Sequence, residues 1–308
     1  MLPLIRFLFR FGGRIAPKST GKVAFRLFCT PLKPKKKSAN HRAVLASGEA
    51  LYASATLHKV KYSGGTIAAH EFQPHHAEPV QLASTAATAR NTSSKTVYVL
   101  HGWQSNAWLM ANFVEPLQTT GWRVICIDSP GHGLSSGRQF HLPLAVSGLH
   151  AVADALGPCD AMITHSLGGA VAATAIAGTV IHYPPMPVQK LVLISSPNSM
   201  PKIFDDFCHM VNLNEAAKAS LFSMVETLSG RTVDHFTVAS QLKSTAEDLL
   251  LIHAPDDKEV PFSEAEAIAA CKPNVAIERA QGLGHRRIIA SDDVVKKAVE
   301  FIQLETPG

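Results

Sequence analysis

The chain has no cysteine framework, no glycine or proline period and, over its first 42 residues, no acidic side chain. Its five cysteines, at 29, 126, 159, 208 and 271, are odd in number, far apart and never in a C-x-x-C pair. That argues against a disulfide scaffold or a cysteine zinc site and fits a reducing compartment. The 20 glycines and 19 prolines fall without a repeat, which excludes a collagen-like chain, and 46% apolar residues exclude a disordered one. A length of 308 residues fits two units of about 150, or one large α/β domain with an insertion. Charge is missing from Ala161–Gln189, a stretch long enough to span a bilayer. It nevertheless contains His165, Ser166, Gly168, Gly169, His182 and Pro184-Pro185. A buried strand, a sharp turn and a buried helix account for it better, so no transmembrane segment is expected.

The missing acids make the head of the chain strongly basic. Residues 1–42 hold 11 of the 29 Lys and Arg, leaving 18 basic against 24 acidic residues in a mildly acidic body. In Met1–Pro17, Arg6, Arg10 and Arg14 recur every four residues among Leu2, Leu4, Ile5, Phe7, Leu8, Phe9, Phe11 and Ile15. On a helix this gives an apolar face with one basic flank, suited either to a membrane interface or to packing on the body or a second subunit. Gly12-Gly13 weakens such a helix. Only Phe7-Leu8-Phe9 is uncharged between Arg6 and Arg10, far short of the ~7–15 apolar residues of a secretory leader. The expected location is cytoplasmic, with peripheral contact at the inner membrane surface through residues 1–42. The basic run Lys33–Lys37 reads as a solvated loop that anionic lipid would attract. The density of Leu and Phe among the charges argues against nucleic-acid binding.

Beyond the head, Ala53–Tyr62 and Thr66–Phe72 read as a hairpin across Ser63-Gly64-Gly65, and Gln73–Lys95 as a long loop. Short apolar runs follow at Val97–Leu100, Arg123–Ile127, Ala161–Thr164, Leu191–Ile194 and Leu249–Ile252. Helical stretches such as Ala107–Leu117, Leu142–Ala155 and Gly169–Ile181 lie between them. Short buried strands alternating with helices predict a mostly parallel sheet covered on both faces. About fifty residues between Pro197 and Leu249 break the alternation. Lys202–Val211 and Asn214–Leu228 look amphipathic there, predicting a small helical cap inserted between two strands. A helix near Ser263–Ala270, a strand near Asn274–Glu278 and a helix over Asp292–Leu304 complete the pattern. The expected division is a basic extension over 1–50, a core over 51–197 and 247–308, and a cap over 198–246.

Chemistry concentrates where these strands end. Thr164-His165-Ser166-Leu167-Gly168-Gly169 places a serine at a strand-to-helix turn, where its hydroxyl is pushed out of the sheet edge and a helix N-terminus offers free N–H groups. A serine N-cap before a glycine turn is the plainer reading of the same residues. A nucleophilic serine needs a base and an orienting acid. Gly282-Leu283-Gly284-His285 lies in a loop before the last helix, and Asp256-Asp257 in an acidic loop after a buried strand. His101-Gly102-Trp103 ends another strand, so the Trp103 and Leu167 amides are candidates for a two-donor oxyanion site. His101, Gly102 and His165 are candidates for substrate contact or support. Asp128-Ser129-Pro130-Gly131-His132-Gly133-Leu134-Ser135 reads as a rigid supporting turn.

In this order the motifs resemble the α/β-hydrolase fold family, of the esterase, lipase and lysophospholipase-like kind, from about Ala53 to Leu304. The resemblance implies Ser166 as nucleophile, His285 as base and Asp257 as acid. The family's spacing before Val260-Pro261 selects Asp257 over Asp256. Thr164 stands where the family's first elbow glycine falls, and Ala254 where a glycine often precedes the acid; the β-branched threonine is expected to displace the elbow slightly. The implied activity is hydrolysis of a carboxylic ester with an apolar acyl group, through an acyl-enzyme and without metal or organic cofactor. A thioesterase or acyltransferase with the same residues, and a non-catalytic binding protein on the same fold, remain as alternatives.

Overall fold

The computed structural model describes residues 2–31, 46, 48–75, 94–273 and 275–304. The apolar runs form strands of one eight-stranded sheet: β1 (Thr56–Tyr62), β2 (Gly65–Phe72), β3 (Thr96–Leu100), β4 (Arg123–Ile127), β5 (Ala161–His165), β6 (Lys190–Ile194), β7 (Asp248–His253) and β8 (Ile277–Arg279). Their order is β1-β2-β4-β3-β5-β6-β7-β8. β1 pairs antiparallel with β2 and β2 antiparallel with β4, while every pair from β4 to β8 is parallel. The helices are α1 (Leu2–Ile15), α2 (Pro17–Phe28), α3 (Val114–Thr119), α4 (Leu142–Leu156), α5 (Leu167–Ile176), α6 (Met200–Val211), α7 (Glu215–Ser229), α8 (Val238–Leu242), α9 (Phe262–Ala269), α10 (Gly284–Arg287) and α11 (Asp292–Gln303).

Strands β3 to β7 are apolar at nearly every position because both faces are covered. Their two-residue period sorts them: Tyr98, Leu100, Ile125, Ile127, Met162, Leu191 and Leu193 join one core with α4 and α5. Val97, Val99, Val124, Ile163, Val192 and Ile194 join the other with α3 and α11. After β3 the chain steps to β4 on one side, then crosses to β5 on the other. Such a reversal leaves a crevice outside the carboxyl ends of the strands, where open α/β sheets bind ligands.

Most strand and helix expectations hold to within a few residues, with four differences. The hairpin starts at Thr56 rather than Ala53, because Tyr52 is buried and its hydroxyl donates to the Ala107 carbonyl, holding the preceding turn to the body. The stretch expected as one helix from Ala107 is a 3₁₀ helix over Ala107–Phe113 that gives way to α3, with Pro116 in the first turn of α3 where no amide is needed. α5 ends at Ile176, five residues short of the expected limit. The last strand is Ile277–Arg279, and Asn274 lies outside the described residues. So do Lys33–Lys37 and most of the Gln73–Lys95 loop, residues 76–93.

The head departs furthest from its expected form. α1 runs unbroken through Gly12-Gly13, and a second helix, α2, follows Pro17. α2 buries Thr20, Gly21, Ala24 and Phe25. A Cβ on Gly21 would lie 2.3 Å from the Ala217 carbonyl of α7, so glycine is what lets these helices touch. Phe9, Ala24, Phe25 and Cys29 belong to the same core as α4, α5 and the sheet. The helices between β6 and β7 stand over the carboxyl ends of the strands. Ser199 caps α6 through the Lys202 amide, Asn212 closes it with a left-handed backbone, and Asn214 caps α7 through the Ala217 amide.

Candidate active site

Ser166 follows β5 directly, at φ 53° and ψ −126°. This is costly ground for a residue with a Cβ, of order 1–3 kcal/mol, and the surroundings must enforce it. They do so by close approach. A Cβ on Gly168 would lie 2.8 Å from the Leu100 carbonyl, and one on Gly169 2.3 Å from the Ser196 hydroxyl. Both glycines let α5 start hard against the sheet edge. The Ser166 amide donates to the Ile194 carbonyl at 2.9 Å, and its carbonyl accepts from Gly169. Thr164 does not crowd this turn: its side chain is fully buried and its hydroxyl donates to the Val192 carbonyl across the β5–β6 pair.

The structure brings Ser166, His285 and Asp257 together. His285 Nε2 is 3.0 Å from Ser166 Oγ, and His285 Nδ1 is 2.8 Å from Asp257 Oδ2. An ionised carboxylate only accepts, so Nδ1 carries the ring proton and Nε2 accepts from the serine hydroxyl. Burial pushes the Asp257 carboxyl up, but the His285 bond and the Val260 and Glu259 amides on Oδ1 outweigh it and hold it at about 2. Asp256 points elsewhere, with Oδ1 accepting from the Gly282 amide in the loop that carries His285. His253, at the end of β7, donates from Nε2 to the Val260 carbonyl and thereby braces the Asp257 loop.

Three further histidines set this frame. His165 Nε2 donates to the His285 backbone carbonyl at 2.9 Å, and burial pushes its pKa down to about 3, so it stays neutral. Its Nδ1 is buried without a hydrogen-bond partner among the described residues. His101 accepts the Ser129 amide on Nε2 and donates from Nδ1 to the Gly102 carbonyl at 2.7 Å. The peptide is planar, so pinning the Gly102 carbonyl also fixes the direction of the Trp103 N–H. His132 accepts the Gln104 amide on Nε2 and donates from Nδ1 to the Pro130 carbonyl; burial pushes its pKa down to about 4. Neither the Trp103 nor the Leu167 N–H donates to a protein acceptor among the described residues. Gly102 sits against Ser166, since a Cβ there would be 2.8 Å from Ser166 Cβ.

Asp128 ties the expected supporting turn to this frame. Its carboxylate accepts the Ala107 and Leu134 amides at 2.8 Å and lies 3.3 Å from His70 Nε2. Burial pushes it up, yet His70 and those amides outweigh burial and hold it below the ordinary carboxylate range. It joins β2, the 3₁₀ helix and the Ser129–Ser135 turn.

Ser166 and Leu167 open onto a cavity of about 710 Å³ with an apolar lining, a size usual for a small-molecule site. Trp103 and Phe140 form one wall, and Phe204 and Phe207 of α6 another. Phe25 and Phe28 of α2 complete it. These last two were not among the residues expected at the site; the signal available in the sequence was an aromatic pair three residues apart in a basic segment.

Residues 95–227 match the α/β hydrolase fold family. A serine hydrolase-like protein of Danio rerio is 36% identical over 122 residues, 38% of this chain and 36% of that protein. A pimeloyl-acyl-carrier-protein methyl ester esterase of Neisseria meningitidis is 39% identical over 79 residues, 25% of this chain and 29% of that enzyme. The chain thus matches only about a third of the length of these relatives. Among solved structures, an esterase of Pyrococcus furiosus superposes with a TM-score of 0.58 at 18% identity, covering 89% of this chain and 98% of that one. The mostly parallel eight-stranded sheet with its flanking helices has the α/β-hydrolase fold, and residues 95–227 carry the match to that family.

Proposed function

We propose that the protein is a serine hydrolase that cleaves carboxylic esters with apolar acyl groups through an acyl-enzyme on Ser166. The observation that carries this reading is the Ser166–His285–Asp257 chain at the lip of an apolar cavity. The ester relation of the Neisseria enzyme supports the same bond class.

As the Ser166 oxygen attacks the ester carbonyl, its proton passes to His285 Nε2, and the ionised Asp257 stabilises the imidazolium that forms. The carbonyl oxygen gains negative charge in the tetrahedral intermediate. The Trp103 and Leu167 N–H groups are free to hold it, with the first turn of α5 adding a favourable field. His285 then gives its proton to the leaving alcohol oxygen as the C–O bond breaks. Water, deprotonated by the same nitrogen, attacks the acyl-enzyme and releases the acid. The acyl chain lies among Phe204, Phe207, Phe25 and Phe28, which bind it by excluding water.

A panel of p-nitrophenyl and methyl esters of increasing acyl length, with a thioester series beside it, tests the reading. Hydrolysis favouring medium or long acyl chains, and lost at least ~10⁴-fold in Ser166→Ala, is the expected result. Turnover that survives Ser166→Ala, or no turnover of any ester, overturns it.

A further inference from the structure

The same helices that close the cavity present an uncovered apolar stripe to the outside. On α1, Phe9 and Gly13 face inward. Leu4, Phe7, Leu8, Phe11 and Ile15 lie on the opposite side, each between 56% and 69% exposed. Their spacing of three or four residues puts them on one helical face, and the Phe7 and Phe11 rings stack at 6.3 Å. Beside the stripe stand Arg6, Arg10 and Arg14, and the same four-residue interval continues through Lys18, Lys22 and Arg26 of α2. All six are exposed, none has an ion-pair partner among the described residues, and neither helix contains an acidic residue.

That pattern selects its occupant. A second copy of this helix pair would bring six cations against six cations, whereas an anionic bilayer surface meets both features at once. Its headgroups take the cations and its acyl boundary takes the Leu and Phe side chains. The opposite, inward side of α1 reaches the cavity: Leu2 and Ile5, on the face of Phe9, and Leu27 of α2 line it, and Leu2 and Leu27 are themselves partly exposed. We infer that the α1–α2 pair docks the protein on anionic membranes and opens the cavity at that interface, so that an acyl chain passes from the bilayer to Ser166 without crossing water. The docking stands on the surface alone; the route rests on the hydrolytic reading above.

Flotation of the Ser166→Ala protein with vesicles separates the two. It floats with phosphatidylglycerol–phosphatidylcholine vesicles and stays down with pure phosphatidylcholine. The triple variant Arg6→Gln/Arg10→Gln/Arg14→Gln binds the anionic vesicles roughly a hundredfold more weakly, and Phe7→Ser/Leu8→Ser/Phe11→Ser also loses binding. With Ser166 intact, both triple variants hydrolyse a soluble short-chain ester as the wild type does. They lose tenfold or more on a long-chain ester embedded in the anionic vesicles. Equal flotation of wild type and variants overturns the docking, as does a concentration-dependent dimer that the serine triple variant abolishes. Undiminished turnover of the embedded ester overturns the route. A protein that floats but hydrolyses no ester contradicts the hydrolytic reading and leaves the docking supported.

Discussion

Ser166 carries two demands that oppose each other, a hydroxyl turned to the cavity and a backbone with φ at 53°. Glycine adopts such a backbone without the Cβ penalty. Ser166→Gly is therefore expected to be more stable than Ser166→Ala by about 1 kcal/mol in urea unfolding, with both inactive. In the proposed mechanism Asp257 acts on chemistry by holding one tautomer of His285. Asp257→Asn offers a donor where Nδ1–H needs an acceptor, and kcat on the best ester should fall roughly 10⁴-fold while the fold persists by circular dichroism. His101 touches no reacting atom but pins the peptide that bears the Trp103 N–H. His101→Phe should lower kcat by about 10–10² with KM little changed; a rise in KM alone would contradict that positioning role. These positions were legible in the sequence because each follows a short apolar strand, and a strand end is where an α/β sheet exposes side chains. The His165 bond to the His285 carbonyl was not legible, since it joins the end of β5 to α10 across 120 residues and leaves no local pattern.

At the scale of elements, the strands declared themselves through unbroken apolar runs, and α6 and α7 through their periodicity. α2 did not, for a physical reason. Its buried face is Thr20, Gly21, Ala24 and Phe25, so close packing on α7 replaces the large apolar stripe that sequence periodicity detects. That makes the α2–α7 contact intolerant of size. Gly21→Val places atoms inside the Ala217 carbonyl and the Ser220 Cβ, which lie 2.3 and 2.6 Å from the position of even a Cβ. The variant is expected to release α2. Rapid tryptic cleavage at Lys18, Lys22 and Arg26, with a drop in long-chain over short-chain ester hydrolysis, is the measurement. Cleavage and chain preference identical to wild type would show that the contact tolerates the added bulk.

Across the whole molecule, buried neutral histidines make acid the weak side of stability. Burial holds His165 at about 3 and His132 and His141 at about 4, below an ordinary value near 6.5. The unfolded chain takes up these protons below about pH 6.5 and the folded chain does not, so stability falls as pH drops from there toward 3–4. Each histidine contributes a slope of up to about 1.4 kcal/mol per pH unit. Asp257, held at about 2, adds its loss only below about pH 4. Urea midpoints should therefore fall steeply between pH 6.5 and 4.5; a flat profile there would mean that these rings are charged in the folded state. The molecule's central arrangement brings residues 166, 257 and 285 to one sheet edge over a cavity that its own first two helices help to wall. Peptide mass spectrometry after treatment with an alkyl fluorophosphonate reads that arrangement most directly. A single adduct on Ser166, formed rapidly in wild type, slowed in His285→Ala and missing from Ser166→Ala, is the predicted result. Modification on any other serine, or equal labelling of the Ser166→Ala protein, would contradict it.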